Sequence, residues 1–151
     1  MVFRKKISFD VSGKPPRKSN WGKDVSQVIK LREEALNARK KAGLSNCFDR
    51  PVKLTLIVFA PNISDMSYKQ SGDDDPNRYI GDLDSLVAGV CEYLQPAPKT
   101  NPELDLSQLD GKKEIGPHIA LIVKNDSQIK KIDAKKIVNE TLHYHVEIQP
   151  I

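Results

Sequence analysis

Tyr79-Ile80-Gly81-Asp82-Leu83-Asp84-Ser85-Leu86-Val87-Ala88-Gly89-Val90-Cys91-Glu92-Tyr93-Leu94 places two carboxylates two residues apart, directly before an apolar run. Leu86, Val87, Val90, Cys91 and Leu94 recur at helical spacing. In an extended segment, residues i and i+2 point the same way, whereas in a helix they diverge by about 200°. For Asp82 and Asp84 to share one small volume, the helix has to begin at about Asp84 or Ser85, with Asp84 as its N-cap. Two carboxylates in one small volume repel unless a cation lies between them. A hard divalent ion with oxygen ligands, Mg²⁺ or Mn²⁺, meets that need. The plainer alternative is a helix cap at Asp84 and a solvated loop residue at Asp82.

The totals bound the rest. A chain of 151 residues suits one domain spanning residues 1–151. Apolar residues make up 38% and charged residues 29%, a globular but polar balance, and 10 prolines point to substantial loops. No run approaches the roughly eighteen apolar residues of a membrane span, and the N-terminus lacks the apolar core of a secretion signal. Cys47 and Cys91 have no metal-like spacing and fit a reducing cytoplasm better than a disulfide framework. The net charge is +4, unevenly spread: residues 73–114 carry ten Asp/Glu against four Lys/Arg. A basic body around an acidic patch suits a metal-dependent nuclease, in which the body attracts phosphate and the carboxylates hold the metal. Ordinary surface charge is the alternative.

Taken in order, Ile7, Phe9 and Val11 alternate with polar residues and predict a half-buried strand over residues 4–12. Gly13-Lys14-Pro15-Pro16-Arg17-Lys18-Ser19-Asn20-Trp21 ends it, offering Arg17, Lys18 and Asn20 to phosphate and Trp21 to a base or to the core. A helix is predicted over 24–42, with Asp24 as N-cap, Val25, Val28, Ile29, Ala35 and Leu36 on its apolar face and Gly43 as its stop. Its charges, Arg32, Glu33, Glu34, Arg39, Lys40 and Lys41, read as a solvated face. Residues 52–60 form a central strand, and 62–81 a polar loop containing Asp73-Asp74-Asp75. The helix of about 84–95 follows, then an irregular insertion over about 95–117. Residues 118–123 read as a buried strand. Residues 128–133 read as a basic one of unsettled register, because Ile129 and Ile132 break period two. The closing strand, 142–149, sets Leu142, Tyr144, Val146 and Ile148 against His143, His145 and Glu147. The two histidines share a face, as a zinc pair or as solvent-facing residues. Together these elements predict a small α/β (α+β) domain with a mixed sheet and two main helices.

Three stretches, Gly13-Lys14-Pro15-Pro16-Arg17-Lys18-Ser19-Asn20, Gly81-Asp82-Leu83-Asp84-Ser85-Leu86 and Asn125-Asp126-Ser127-Gln128-Ile129, occur in an order and spacing that resembles the RusA family of Holliday-junction resolvases. The resemblance covers nearly the whole chain apart from residues 95–117. It implies a homodimer that cuts four-way DNA junctions in a Mg²⁺- or Mn²⁺-dependent reaction, with Asp82, Asp84 and Asp126 as metal ligands and catalytic residues. Lys14, Arg17, Lys18, Asn20, Arg78, Lys124, Lys130 and Lys131 are the candidate DNA contacts. Three positions depart from the family pattern: Ser85 stands for its Asn, Asn125 for one of an acidic pair, and Ala88 for a frequent lysine. Lys124 and Arg78 are the candidates to supply that lysine's charge. A branched-DNA-binding protein that does not cut is the alternative activity. An interaction protein whose aspartates are caps is the third reading.

Overall fold

The computed structural model describes residues 5–18, 25–61, 82–97 and 113–151. Asn20, Trp21, Asp24, the Asp73-Asp74-Asp75 run and Arg78 lie outside the described residues. The alternation near the N-terminus becomes strand β1, Ile7–Ser12, with Ile7, Phe9 and Val11 buried and the residues between them exposed. Strand β2, Val52–Ala60, and strand β4, His143–Pro150, alternate buried residues with mostly half-buried ones. Strand β3, Ile129–Val138, lies between them in sequence and is exposed along most of its length.

The order in the sheet is β1-β4-β2-β3. β4 runs antiparallel to both β1 and β2, while β2 and β3 are parallel. A parallel neighbour needs a long crossover, and helix α2, Leu83–Leu94, lies on the one between β2 and β3. Helix α1, Val25–Lys41, lies between β1 and β2. Val28, Leu31, Ala35 and Leu36 of α1 and Leu86, Val90, Tyr93 and Leu94 of α2 join the inward residues of β1, β2 and β4 in one core. Both helices therefore cover the same face of the sheet. No helix among the described residues is long and apolar enough to cross a membrane.

The broken alternation at Ile129 and Ile132 has a structural cause. Val52 pairs with Ile129, Lys53 with Lys131 and Leu54 with Ile132, so β3 carries one extra residue at the start of the pair. An extra residue restores two apolar side chains of odd spacing to one face. α1 ends as the sequence predicts: Gly43, at φ 78°, donates to Lys40 O, and Leu44 donates to Arg39 O. That paired pattern is a Schellman cap, which favours glycine at the left-handed position.

Two expectations are corrected. Residues 118–123 form no strand; a single parallel bridge joins Val123 to Phe48. The carbonyls of Ile119 and Leu121 accept from Arg32 and Arg39 side chains, and the N–H groups of Ile122 and Val123 donate to Leu94 O at the end of α2. Its second half, Leu121 to Val123, is buried without a ladder because its polar groups are satisfied in this way. Arg32 is the second correction. It stands with none of its surface exposed rather than on a solvated face.

Candidate nucleic-acid interface along helix α2

All three stretches that carry the resemblance meet α2. The first enters through Asp82, which is the N-cap in extended conformation, at φ −72° and ψ 152°, and its carbonyl accepts from Leu86 N–H at 3.0 Å. The helix therefore begins at Leu83, earlier than the sequence suggested, and Asp84 falls in its first turn rather than at the cap. Asp84 Oδ1 accepts from Ser85 N–H at 3.0 Å, whereas the Asp82 carboxylate makes no capping bond. Both aspartates are exposed. Asp82 is extended and Asp84 helical, so no strand holds the two carboxylates on one face. Lys136, near the end of β3, lies close enough to Asp82 to feel its charge. Partial burial lowers the Lys136 pKa, and Asp82 opposes that shift.

The second stretch crosses the middle of α2. Pro15 and Pro16 are buried while Arg17 and Lys18 stay exposed. A Cβ on Gly89 would come within 2.1 Å of Pro16 O and 3.5 Å of Lys18 N, so only glycine lets the loop lie this close to the helix. One turn on, the Tyr93 hydroxyl donates to Arg17 O. A glycine and a tyrosine four residues apart thus fix the basic loop on one helix face.

The third stretch meets the far end of α2. Asp126 opens a 3₁₀ turn, Asp126–Gln128, that leads into β3. Its backbone N–H donates to the Gln95 side-chain oxygen at 2.8 Å. Asn125 and Gln128 close a capping box around the turn, and Gln128 also donates to Phe48 O and Arg50 O. The buried Cys91 thiol is pushed up to about 12, first by burial and then by the charge of Asp126, with Lys18 among the groups that oppose it. Asp126 and Lys18 therefore both stand near the second half of α2.

The positions of the three aspartates follow from this topology. Asp84 and Gln95 are separated by about 16 Å of helix axis at 1.5 Å per residue. Asp82 lies by the end of β3 and Asp126 before its start. The seven steps from Ile129 to Lys136 span about 23 Å at 3.3 Å each. Among the described residues no group of three or more His, Cys, Asp or Glu is placed to hold a metal ion. Asp82 and Asp84 supply oxygen donors of the kind a hard divalent ion takes, and magnesium is often held by one or two carboxylates together with a substrate phosphate. Asp126 stands at the other end of α2, where its backbone N–H is held by Gln95.

The remaining candidates are distributed around this axis. Lys124 is exposed beside the Asp126 turn, and its N–H donates to Gln128 Oε1. Lys130 and Lys131 are exposed at the start of β3, and Lys14 is half-buried. His143 and His145 share the open face of the sheet, half-buried. His143 stacks on Phe59 with ring centroids 4.4 Å apart. His145 lies between Asp10, 3.0 Å from Nδ1, and Glu147, 3.1 Å from Nε2.

The sequence reading missed the residues that organise the far end. Arg32 donates from Nε to Ile115 O, from Nη1 to Tyr93 O and Gln95 O, and from Nη2 to Gly116 O and Ile119 O. Burial lowers its pKa to about 10. The signal was present, since Val28, Arg32 and Leu36 form one i, i+4, i+8 row on the apolar face. Compared with protein-family models and with curated proteins, the chain matches none.

Proposed function

We propose that this chain is a structure-selective endodeoxyribonuclease that resolves four-way (Holliday) DNA junctions by Mg²⁺- or Mn²⁺-dependent phosphodiester hydrolysis, acting as a homodimer in the cytoplasm. The observation that carries the reading is the convergence on α2. The basic loop, the paired aspartates and the Asp126 turn are far apart in sequence, and each is fastened to the same twelve-residue helix.

In this reading Asp82 and Asp84 hold the metal. A bound divalent ion supplies an activated water and offsets charge on the phosphate. Arg17 and Lys18 present charge to the DNA backbone from a loop that cannot slide, and Lys130 and Lys131 do so from β3. A second copy supplies the symmetry that two cuts in a four-way junction require.

One observation favours a second reading, a protein that binds branched DNA without cutting it. Asp126 stands at the opposite end of α2 from Asp82, and Ala88 offers no cation between them. Both readings require junction binding that exceeds duplex binding and weakens steeply with salt. Gel-shift titrations of a synthetic four-way junction and a linear duplex, without metal and then with Mg²⁺, separate them. Preferential binding followed by nicks supports the nuclease, and binding without nicks supports the second reading. Equal affinity for both DNAs, or none at low salt, overturns both.

A further inference from the structure

β1 and β4 set polar side chains side by side on the open face of the sheet. In their register Asp10 opposes His145 and Ser8 opposes Glu147. Two carboxylates reach one ring. Asp10 Oδ1 lies 3.0 Å from Nδ1 of His145, and Glu147 Oε1 lies 3.1 Å from its Nε2. Ser8 Oγ is 3.4 Å from the same Nε2, and Lys6 Nζ is 3.5 Å from Glu147 Oε1. An ionised carboxylate only accepts, and a neutral imidazole carries one N–H. The neutral ring therefore cannot donate to both carboxylates, whereas an imidazolium can.

The neighbouring strands frame this group. Among the described residues, β2 brings Ile57 opposite His145 and Thr55 opposite Glu147. Asp133 and Lys135 of β3 stand one strand further out, opposite Thr55 and Ile57. On β4 itself, His143 stacks on Phe59, and its Nδ1 meets Thr141.

We propose that His145 is a proton switch, in which Nε2 exchanges one partner for another while Nδ1 keeps Asp10. In the protonated ring, Nδ1 donates to Asp10 and Nε2 donates to Glu147. One cation then links β1 to the Glu147 carboxylate of β4. When the ring gives up a proton, it gives up the one on Nε2. The bare nitrogen accepts from the Ser8 hydroxyl, Nδ1–H stays on Asp10, and Glu147 turns to the Lys6 ammonium. Each of these groups has a partner in both states. The choice of nitrogen follows from the partners: Nδ1 faces the Asp10 carboxylate, which can only accept, whereas Nε2 also has a hydroxyl donor in reach.

The switch loosens β1 as pH rises. The protonated ring adds a charge-assisted bond between Asp10 and β4. That bond is present once the carboxylates are ionised and is lost as the imidazolium gives up its proton. β1 runs into Gly13 and the basic loop from Lys14 to Lys18, so the strand it loosens is the one from which that loop springs. The switch needs neither DNA nor metal and stands apart from the proposed function.

Two-bond ¹H–¹⁵N spectra of the histidine rings across the pH range read both nitrogens directly, with His145→Gln to assign the signal. The wild type is expected to pass from an imidazolium to a neutral ring that keeps its proton on Nδ1, and Ser8→Ala should move the neutral ring toward the Nε2–H form. Amide hydrogen exchange of β1, compared at one pH between wild type and Asp10→Asn, reads the link. Asp10 is exposed, and circular dichroism checks that the variants are folded. Wild-type protection should exceed that of the variant about two- to fivefold at about pH 5.5, and the gap should close by about pH 8.5. A wild-type neutral ring protonated on Nε2, a tautomer indifferent to Ser8→Ala, or a protection gap equal at both pH values overturns the switch.

Discussion

The Gln95 side-chain oxygen accepts a hydrogen bond from the backbone N–H of Asp126 at 2.8 Å. Gln95 closes α2 and Asp82 opens it, so the helix is a spacer that holds two carboxylate sites apart. In the proposed function, the length of α2 and its two fastenings, rather than any one motif, set where DNA would be engaged.

Arg32 ties that spacer to the core. Arg32→Met would leave the carbonyls of Ile115, Tyr93, Gln95, Gly116 and Ile119 without their buried donor. Hydrogen bonds to charged groups each contribute about 1.5–3 kcal/mol, and orphaned buried acceptors add cost, so a loss of at least about 3 kcal/mol is expected. Urea denaturation followed by circular dichroism measures it.

Gly89→Ala tests the crossing of the basic loop. Alanine would gain helix propensity of about 1 kcal/mol, but its Cβ would meet Pro16 O at 2.1 Å. Because the obstructing atom is backbone, a net loss of about 1–3 kcal/mol is expected. Junction affinity should fall with it, as Arg17 and Lys18 lose their seat. A lowered melting temperature with unchanged affinity would show that the loop does not contact DNA.

Tyr144→Phe is expected to do the reverse. The Tyr144 hydroxyl is buried without a hydrogen-bond partner among the described residues, and burial raises its pKa. An unsatisfied buried hydroxyl costs about 1–3 kcal/mol, so its removal should leave stability unchanged or raise it by about 1 kcal/mol. Chemical denaturation of the two proteins decides it.

Glu147 gives a pH dependence. Its pKa lies below the ordinary 4.5, chiefly through its hydrogen bond with His145 and then through the charges of Lys6 and His145. The folded state binds fewer protons than the unfolded one in this window, so the contribution is present above pH 4.5 and is lost as pH falls through the lowered value. The stabilities of wild type and Glu147→Gln should therefore converge in acid and separate above it. Parallel curves at all pH values would contradict the assignment.

Much of the fold was legible because burial on one face imposes a period. β1, β2 and β4 alternate, and the α1 boundary at Gly43 follows from cap chemistry. The parallel β2–β3 register was harder to read, since Ile129 and Ile132 conceal a bulge. Residues 118–123 look like a strand because most of them are apolar, but only Leu121 to Val123 are buried, and arginine side chains replace the ladder. Asp82, Asp84 and Asp126 were legible as candidates. Their separation was not, because it depends on which way α2 runs beside β3. Gln95, Gly89 and Tyr93 act through tertiary contacts that leave no local pattern.

The most direct test of the central claim, that the α2 aspartates serve DNA cleavage, is nick mapping on a labelled four-way junction in Mg²⁺ and in Mn²⁺, comparing wild type with Asp82→Asn. Paired symmetric nicks that vanish in the variant, while junction binding persists, are the predicted result. Undiminished nicking by Asp82→Asn, or a wild type that binds the junction and leaves it uncut in both metals, would contradict it.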